Sequence, residues 1–213
     1  MKTRRRSAYL IFLPYILKVH YASIDYIPEA GDTSGVIIHY TNVPKPKSAG
    51  VYMTVTQGRF PPRKTTKAEA ACRLHTDLTL HPFAFRVHTH ALGQVVTGWK
   101  VSPEMEWTVL GKDDPQLPQM FNPVDDRSVT LTGGDIIASR CTMYNYHQHE
   151  VRVGATTQDE MCNFYLMYWV DGSRLPSESL CHTMGPPVYY WDGWRYGGRL
   201  ENVPDKEAST YDD

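Results

Sequence analysis

Arg86, His88 and His90 alternate within FRVHTHA (85–91). Residues two apart in a strand share a face. This stretch therefore sets a guanidinium and two imidazoles side by side, a group that an apolar interior does not accept. The face looks onto water or holds a ligand. Two imidazoles at this spacing reach one metal ion. A third donor lies far along the chain. In MCNFYLMYWV (161–170) alternation sets Met161, Asn163 and Tyr165 on one face, with Cys162, Phe164 and Leu166 on the other. Two nitrogens and a thioether form a soft-leaning set that suits copper, Cu(I) above all, better than zinc or magnesium. Arg86, Asn163 and Tyr165 add a cation, an amide and a phenol, which together can hold a carboxylate, the guanidinium supplying the fork. Each feature also has a plainer reading. A lone HxH is more often exposed or structural, a methionine more often fills a core, and polar ladders are ordinary on the outside of a sheet.

Strands must carry these side chains, and the sequence is rich in them. No long segment has apolar residues at helical spacing. Short runs of Val, Ile, Thr and Tyr recur instead at 15–22, 35–43, 50–57, 70–80, 83–91, 94–101, 106–112, 128–133, 135–144 and 161–170. Ala49-Gly50, Leu92-Gly93, Gly133-Gly134 and Asp171-Gly172 punctuate them as turns. The pattern predicts an all-β fold, an antiparallel β-sandwich. VPKPKSAG (43–50) reads as a linker and places a boundary there. The segment after Cys181, with WDGWRYGGRL and then polar and acidic residues, is expected on the surface or partly disordered.

The chain has 213 residues, 41% hydrophobic and 21% charged, with a net charge of -1. A packed core is within reach. A general polyanion binder would carry a basic surplus, so nucleic acid is not an expected partner. Cys72, Cys141, Cys162 and Cys181 form no CxxC, which sets aside zinc ribbons and thioredoxin motifs. Two disulfides in an oxidising compartment and four buried free thiols both fit the count. MKTRRRSAYLIFLPYIL mimics a signal peptide, but Pro14 interrupts its apolar run, no cleavage site follows, and the run is too short to span a bilayer. His147 and His149 form a second HxH among polar turn residues and read as an exposed loop. Asp113-Asp114, Asp125-Asp126 and Asp159-Glu160 read as solvated or as turn formers, because neighbours on a strand point apart.

Several stretches together resemble a known family. YILKVHY, SGVIIHYTNVPKPKSAGVYM, FAFRVHTHALGQVVTGWKV, DPQLPQMFNPV, GDIIASRC and DEMCNFYLMYW, over about residues 15 to 181, are similar to the second half of the copper type II, ascorbate-dependent monooxygenases. Within that family they resemble the peptidylglycine alpha-hydroxylating branch. The resemblance implies a jelly-roll-like sandwich at 47–181, after a remnant of a first, electron-transfer domain with its linker at 1–46 and before a tail at 182–213. It implies that His88, His90 and Met161 bind the catalytic copper, and that Arg86, Asn163 and Tyr165 hold the carboxylate of a glycine-extended peptide. It implies pairings of Cys72 with Cys181 and Cys141 with Cys162, the second bracing the Met161 strand from behind. His20 in LKVHY matches one ligand of a second copper, which favours a strand over a signal peptide at 15–22. The family's His-His pair for that copper has no counterpart here, nor has most of its first domain, so the chain reads as truncated. Dioxygen as co-substrate, ascorbate as reductant, a separate lyase for the second step and a secretory or extracellular setting follow from the resemblance. His81 matches a position expected to pack near the site. Two alternatives remain: a copper- or peptide-binding module without turnover, and the amine-hydroxylating branch typified by dopamine beta-hydroxylase. The trio of Arg86, Asn163 and Tyr165 speaks against the latter, since a benzylic amine has no carboxylate to hold.

Overall fold

The computed structural model describes residues 25, 27, 29–156, 158–194 and 196–211. It divides into two units, Met1–Asn42 and Val43–Asp213, and every strand described belongs to the second. In chain order the strands are β1 (Lys47–Thr56), β2 (Arg59–Phe60), β3 (Thr65–Arg73), β4 (His81–Thr89), β5 (Gly93–Val101) and β6 (Trp107–Asp113). β7 (Asn122–Pro123), β8 (Ile136–Tyr144), β9 (Val151–Arg152), β10 (Cys162–Asp171) and β11 (Leu180–Thr183) follow. No helix occurs among the described residues, so none is long and apolar enough to cross a membrane.

Two sheets make the sandwich. One has the order β11-β1-β10-β4-β7, the other β3-β8-β5-β6, and β2 pairs with β9 apart from both. All pairings are antiparallel except β1 with β11. Alternation builds the core. Phe85 and Val87 from β4, with Phe164 and Leu166 from β10, share one buried cluster with Val96 of β5 and Ile137 of β8. The ring of Phe164 occupies the space a side chain would take at Gly98, so β5 needs glycine there for the sheets to close.

β8 is buried at eight of its nine positions, Ile136 to Met143. One face enters the inter-sheet core, and the other meets a second cluster of Trp99, Val101, Trp191, Leu200 and Ala208. That two-sided burial explains its nearly unbroken run of buried residues. It also overturns the surface reading of the segment after Cys181: Trp191 and Ala208 are fully buried. The segment covers the outer face of the four-stranded sheet.

Other expectations are corrected too. Residues 43–50 are not all linker, because β1 begins at Lys47 and runs through Ala49-Gly50. A Cβ at Gly50 would lie 2.6 Å from the Tyr168 hydroxyl, so this glycine answers to packing against β10 and not to a turn. Residues 35–43 carry no strand; Val36, Ile37, Ile38 and Tyr40 are exposed, and among the described residues no strand pairs with them. Of 74–80 and 128–133, only the bridge between Leu80 and Leu131 remains. The short strands β2, β7, β9 and β11 carry too little periodicity to be seen in the sequence. Residues 15–22, with His20, lie outside the described residues.

Both disulfides form, Cys72–Cys181 and Cys141–Cys162, and no cysteine is free. Each ties the five-stranded sheet to the four-stranded one: β11 to β3, and β10 to β8. The Cys141–Cys162 bond spans 21 residues. Chain-entropy arguments assign a loop of this size about 3 kcal/mol. The double variant Cys141→Ala/Cys162→Ala should lose about that much unfolding free energy in urea, and a loss below about 1 kcal/mol would show that the sandwich does not depend on this bond.

Candidate metal centre

β4 and β10 are hydrogen-bonded neighbours, and their register decides what meets. Tyr165 pairs with Arg86, Asn163 with His88, and Cys162 with Thr89. Carried on by one residue, the same register sets Met161 across from His90. Four residues from two distant segments thus form two successive cross-strand pairs on one face of one sheet, with His90 and Met161 just beyond the strand ends. The buried face of these strands carries Phe85, Val87, Cys162, Phe164 and Leu166. On the other face Arg86, His88, His90, Met161 and Tyr165 are half-buried, and Asn163 is 8% exposed. The strands are therefore not opposed walls of a cleft; they are one platform.

The hydrogen bonds fix which ring nitrogen is offered. His88 Nδ1 lies 2.5 Å from Gln119 Oε1. The Gln119 amide nitrogen donates to the carbonyls of Thr89 (3.1 Å) and Pro115 (2.8 Å), so the end turned to His88 is the acceptor. His90 Nδ1 lies 2.8 Å from the main-chain oxygen of Asp159, which can only accept. Both rings thus carry their proton on Nδ1 and leave Nε2 as a lone-pair donor, the arrangement that outer hydrogen bonds impose on metal-binding histidines. The ring centroids are 5.4 Å apart and nearly perpendicular. Burial depresses the His88 pKa, with Gln119 acting against it and the His90 and Arg86 charges adding to it. The neutral, ligating form is thereby favoured.

Glu160 holds the end of both strands. Its carboxylate is 1% exposed and accepts from the backbone N–H groups of His90 (2.8 Å), Leu92 (2.6 Å) and Met161 (3.0 Å). One side chain therefore fixes two candidate ligand positions relative to each other. Of Asp159-Glu160, read from the sequence as solvated or turn-forming, Asp159 does close a turn on Thr156, while Glu160 is neither. Asp159 gives its carbonyl to His90, and Glu160 is interior. Sequence reasoning missed both Glu160 and Gln119. The only available signals were the adjacency of Glu160 to Met161 and the two prolines, Pro115 and Pro118, that stiffen the segment of Gln119.

Beside the donors, Arg86 Nε donates to the main-chain oxygen of Gln119 (2.9 Å), and its guanidinium carbon lies 5.4 Å from the Tyr165 ring centroid. Its two terminal NH2 groups make no hydrogen bond among the described residues and are available as a fork. Asn163 Nδ2 donates to the Tyr165 hydroxyl (3.3 Å). Among the described residues no cluster of three or more His, Cys, Asp or Glu is placed to hold a metal. The set here has only two such residues, and its third donor is a thioether. Two imidazole Nε2 atoms and a methionine fit a soft copper ion.

His81 is not near these residues. It pairs with Trp169 at the far end of β4, where the rings stack at 3.8 Å and Lys47 Nζ lies 3.1 Å from the Trp169 ring centroid. Seven residues of strand separate it from His88, about 23 Å.

Residues 47–193 match the family described as copper type II ascorbate-dependent monooxygenase, C-terminal domain. Among similar proteins, peptidyl-glycine alpha-amidating monooxygenase B of Xenopus laevis is 35% identical over 195 residues, covering 90% of this chain and 21% of the relative. Peptidylglycine alpha-amidating monooxygenase of Rattus norvegicus is 39% identical over 171 residues, covering 78% and 17%. Dopamine beta-hydroxylase of Canis lupus familiaris is 30% identical over 173 residues, covering 72% and 27%. The chain spans about a fifth of the length of the amidating relatives.

Proposed function

The chain belongs to the copper type II ascorbate-dependent monooxygenases, and from that premise we propose that it carries the hydroxylating half of a peptidylglycine alpha-hydroxylating monooxygenase. The reaction converts the alpha carbon of a C-terminal glycine to a carbinol, with one oxygen atom of O2 entering the product and the other leaving as water. Two electrons come from ascorbate. The observation that carries the reading is the pair of cross-strand neighbours Tyr165–Arg86 and Asn163–His88 on one sheet face, with the backbones of His90 and Met161 both held by Glu160 at the end of the same two strands.

In this reading His88, His90 and Met161 hold the copper. Bound there, copper supplies the activation of dioxygen. The rest is done by this chain's own side chains. The Arg86 fork binds the peptide carboxylate with paired charge-assisted hydrogen bonds. Asn163 and Tyr165 flank it with an amide and a hydroxyl. Two residues of strand separate Arg86 from His88, about 7 Å. A carboxylate on Arg86 therefore brings the adjoining alpha carbon alongside the imidazoles. Such positioning can lower a barrier by roughly 7–11 kcal/mol at best. An amine substrate without a carboxylate would leave Arg86 unused, which favours the peptide branch over the dopamine beta-hydroxylase one. The two disulfides fit an oxidising, secretory setting. A complete system would add the electron-transfer domain, a second copper and a lyase that releases the amide.

Arg86→Ala tests the substrate assignment. Losing a charge-assisted pair costs about 1.5–3 kcal/mol, so KM for a glycine-extended peptide should rise about 10- to 150-fold. Copper content should stay unchanged. An unchanged KM would sink the carboxylate anchor.

A further inference from the structure

We propose that His147 and His149 form a second copper-binding site on the outside of the sandwich, beside His90 and distinct from the His88–His90–Met161 set. Sequence alone reads NYHQHE as an exposed loop among polar turn residues; the structure sets it between β8 and β9. The structure shows a loop whose two imidazoles are held in place. Asn145 is fully buried and clamps the backbone of both histidines: its Oδ1 accepts from His147 N (2.9 Å), while its Nδ2 donates to the carbonyls of His149 (2.9 Å) and Phe60 (2.8 Å). Gln148, between them, turns its side-chain oxygen to Arg63 Nη2 (2.6 Å). The rings of His147 and His149 lie with centroids 5.0 Å apart and planes tilted by 31°. Tyr146 packs on His147 at 4.3 Å. Both imidazoles line a cavity of about 190 Å3 that His90 also lines. Neither ring makes a hydrogen bond among the described residues.

The chemistry selects the ion. Two imidazoles give nitrogen donors with no thioether. Of the acidic side chains that line the cavity, Glu160 is committed to three backbone N–H groups, and Asp159 Oδ2 accepts from the Thr156 N–H (2.9 Å) and hydroxyl (2.7 Å). Hard ions such as calcium or magnesium find no oxygen set here. Among divalent first-row metals an imidazole pair binds Cu(II) most strongly, with water completing the shell. The inner set, with its thioether, leans to Cu(I). The two sites share a wall at His90 but no ligand, since His90 gives its Nδ1 proton to Asp159 and its Nε2 to the inner set.

The inference stands apart from the proposed function, and one experiment separates them. The full chain, His147→Ala/His149→Ala and His88→Ala/His90→Ala are dialysed against Cu(II), and bound copper is counted per chain, with circular dichroism confirming the fold of each. His147→Ala/His149→Ala should lose one equivalent relative to the parent, and should lose the paramagnetic resonance signal that His88→Ala/His90→Ala retains. Equal copper in the parent and His147→Ala/His149→Ala overturns the site. If that variant loses its equivalent while His88→Ala/His90→Ala loses none, the outer site stands and the inner ligand assignment falls.

Discussion

Replacing Arg140 with methionine lowers the unfolding free energy by about 3–5 kcal/mol, because it leaves a carboxylate buried without its cation. Arg140 is 1% exposed and Glu69 is 1% exposed. The guanidinium meets Glu69 through Nε (2.6 Å) and Nη2, and meets Asp205 through Nη2 (2.8 Å). Nη1 donates to the Ser209 hydroxyl (2.9 Å), and the guanidinium carbon lies 4.5 Å from the Trp191 ring centroid. Glu69 in turn accepts from the Trp191 backbone N–H (2.6 Å). Burial pushes the Glu69 pKa up, and Arg140 pulls against it. Remove Arg140 and only the Trp191 N–H and the Lys67 charge still pull against burial. The double variant Arg140→Met/Glu69→Met removes both charges and should cost far less than the single one. Urea unfolding of the three proteins measures this. A single variant within about 1 kcal/mol of the parent would show the pair to be dispensable. Limited proteolysis should also cut the segment around Trp191 first in Arg140→Met, since the network ties that segment to β3 and β8.

What the sequence revealed and what it hid follow from the range of each interaction. The strands carrying Arg86, His88, Asn163 and Tyr165 were legible because each has one interior face and one wet face, and period-2 alternation records that difference locally. The all-β class was legible for the same reason. Arg140 was not, since DIIASRCTMY reads as a strand but nothing near it says that its arginine meets Glu69, 71 residues earlier, under a C-terminal tail. The tail itself misled, because Trp191 and Leu200 sit among Gly, Pro and Asp, whose composition resembles a loose surface. Residues 35–43 misled in the opposite sense, since an apolar run specifies a strand only if another strand pairs with it. Gln119 and Glu160 were hidden because polar residues beside turns are usually solvated. Their burial depends on β4 and β10 closing on them, a tertiary event with no local period.

Met161→Ala and Glu160→Ala should both abolish the tight binding of Cu(I), by different routes that one pair of measurements distinguishes. In Met161→Ala the thioether is gone while the backbone of residue 161 keeps its bond to Glu160 (3.0 Å). Met161 is half-buried, so truncation should cost less than the about 2–5 kcal/mol of a core methionine. Its unfolding midpoint should stay near that of the parent, while, on the proposed function, Cu(I) affinity and ascorbate-driven oxygen consumption collapse. In Glu160→Ala every proposed ligand side chain remains. What is lost is the acceptor for the N–H groups of His90, Leu92 and Met161. Each orphaned donor costs about 1–3 kcal/mol where it stays out of water, so with three donors orphaned the protein should lose at least about 3 kcal/mol of stability as well as its copper affinity. The turn after β4 and the start of β10 would then no longer be held in register, and a thioether misplaced by 1 Å no longer completes the donor set. Competition with a chromogenic Cu(I) chelator, beside urea unfolding, reads both quantities. If Met161→Ala binds Cu(I) as the parent does, the sulfur is not a ligand. If Glu160→Ala is as stable and as copper-competent as the parent, the buried carboxylate does not align the two strands.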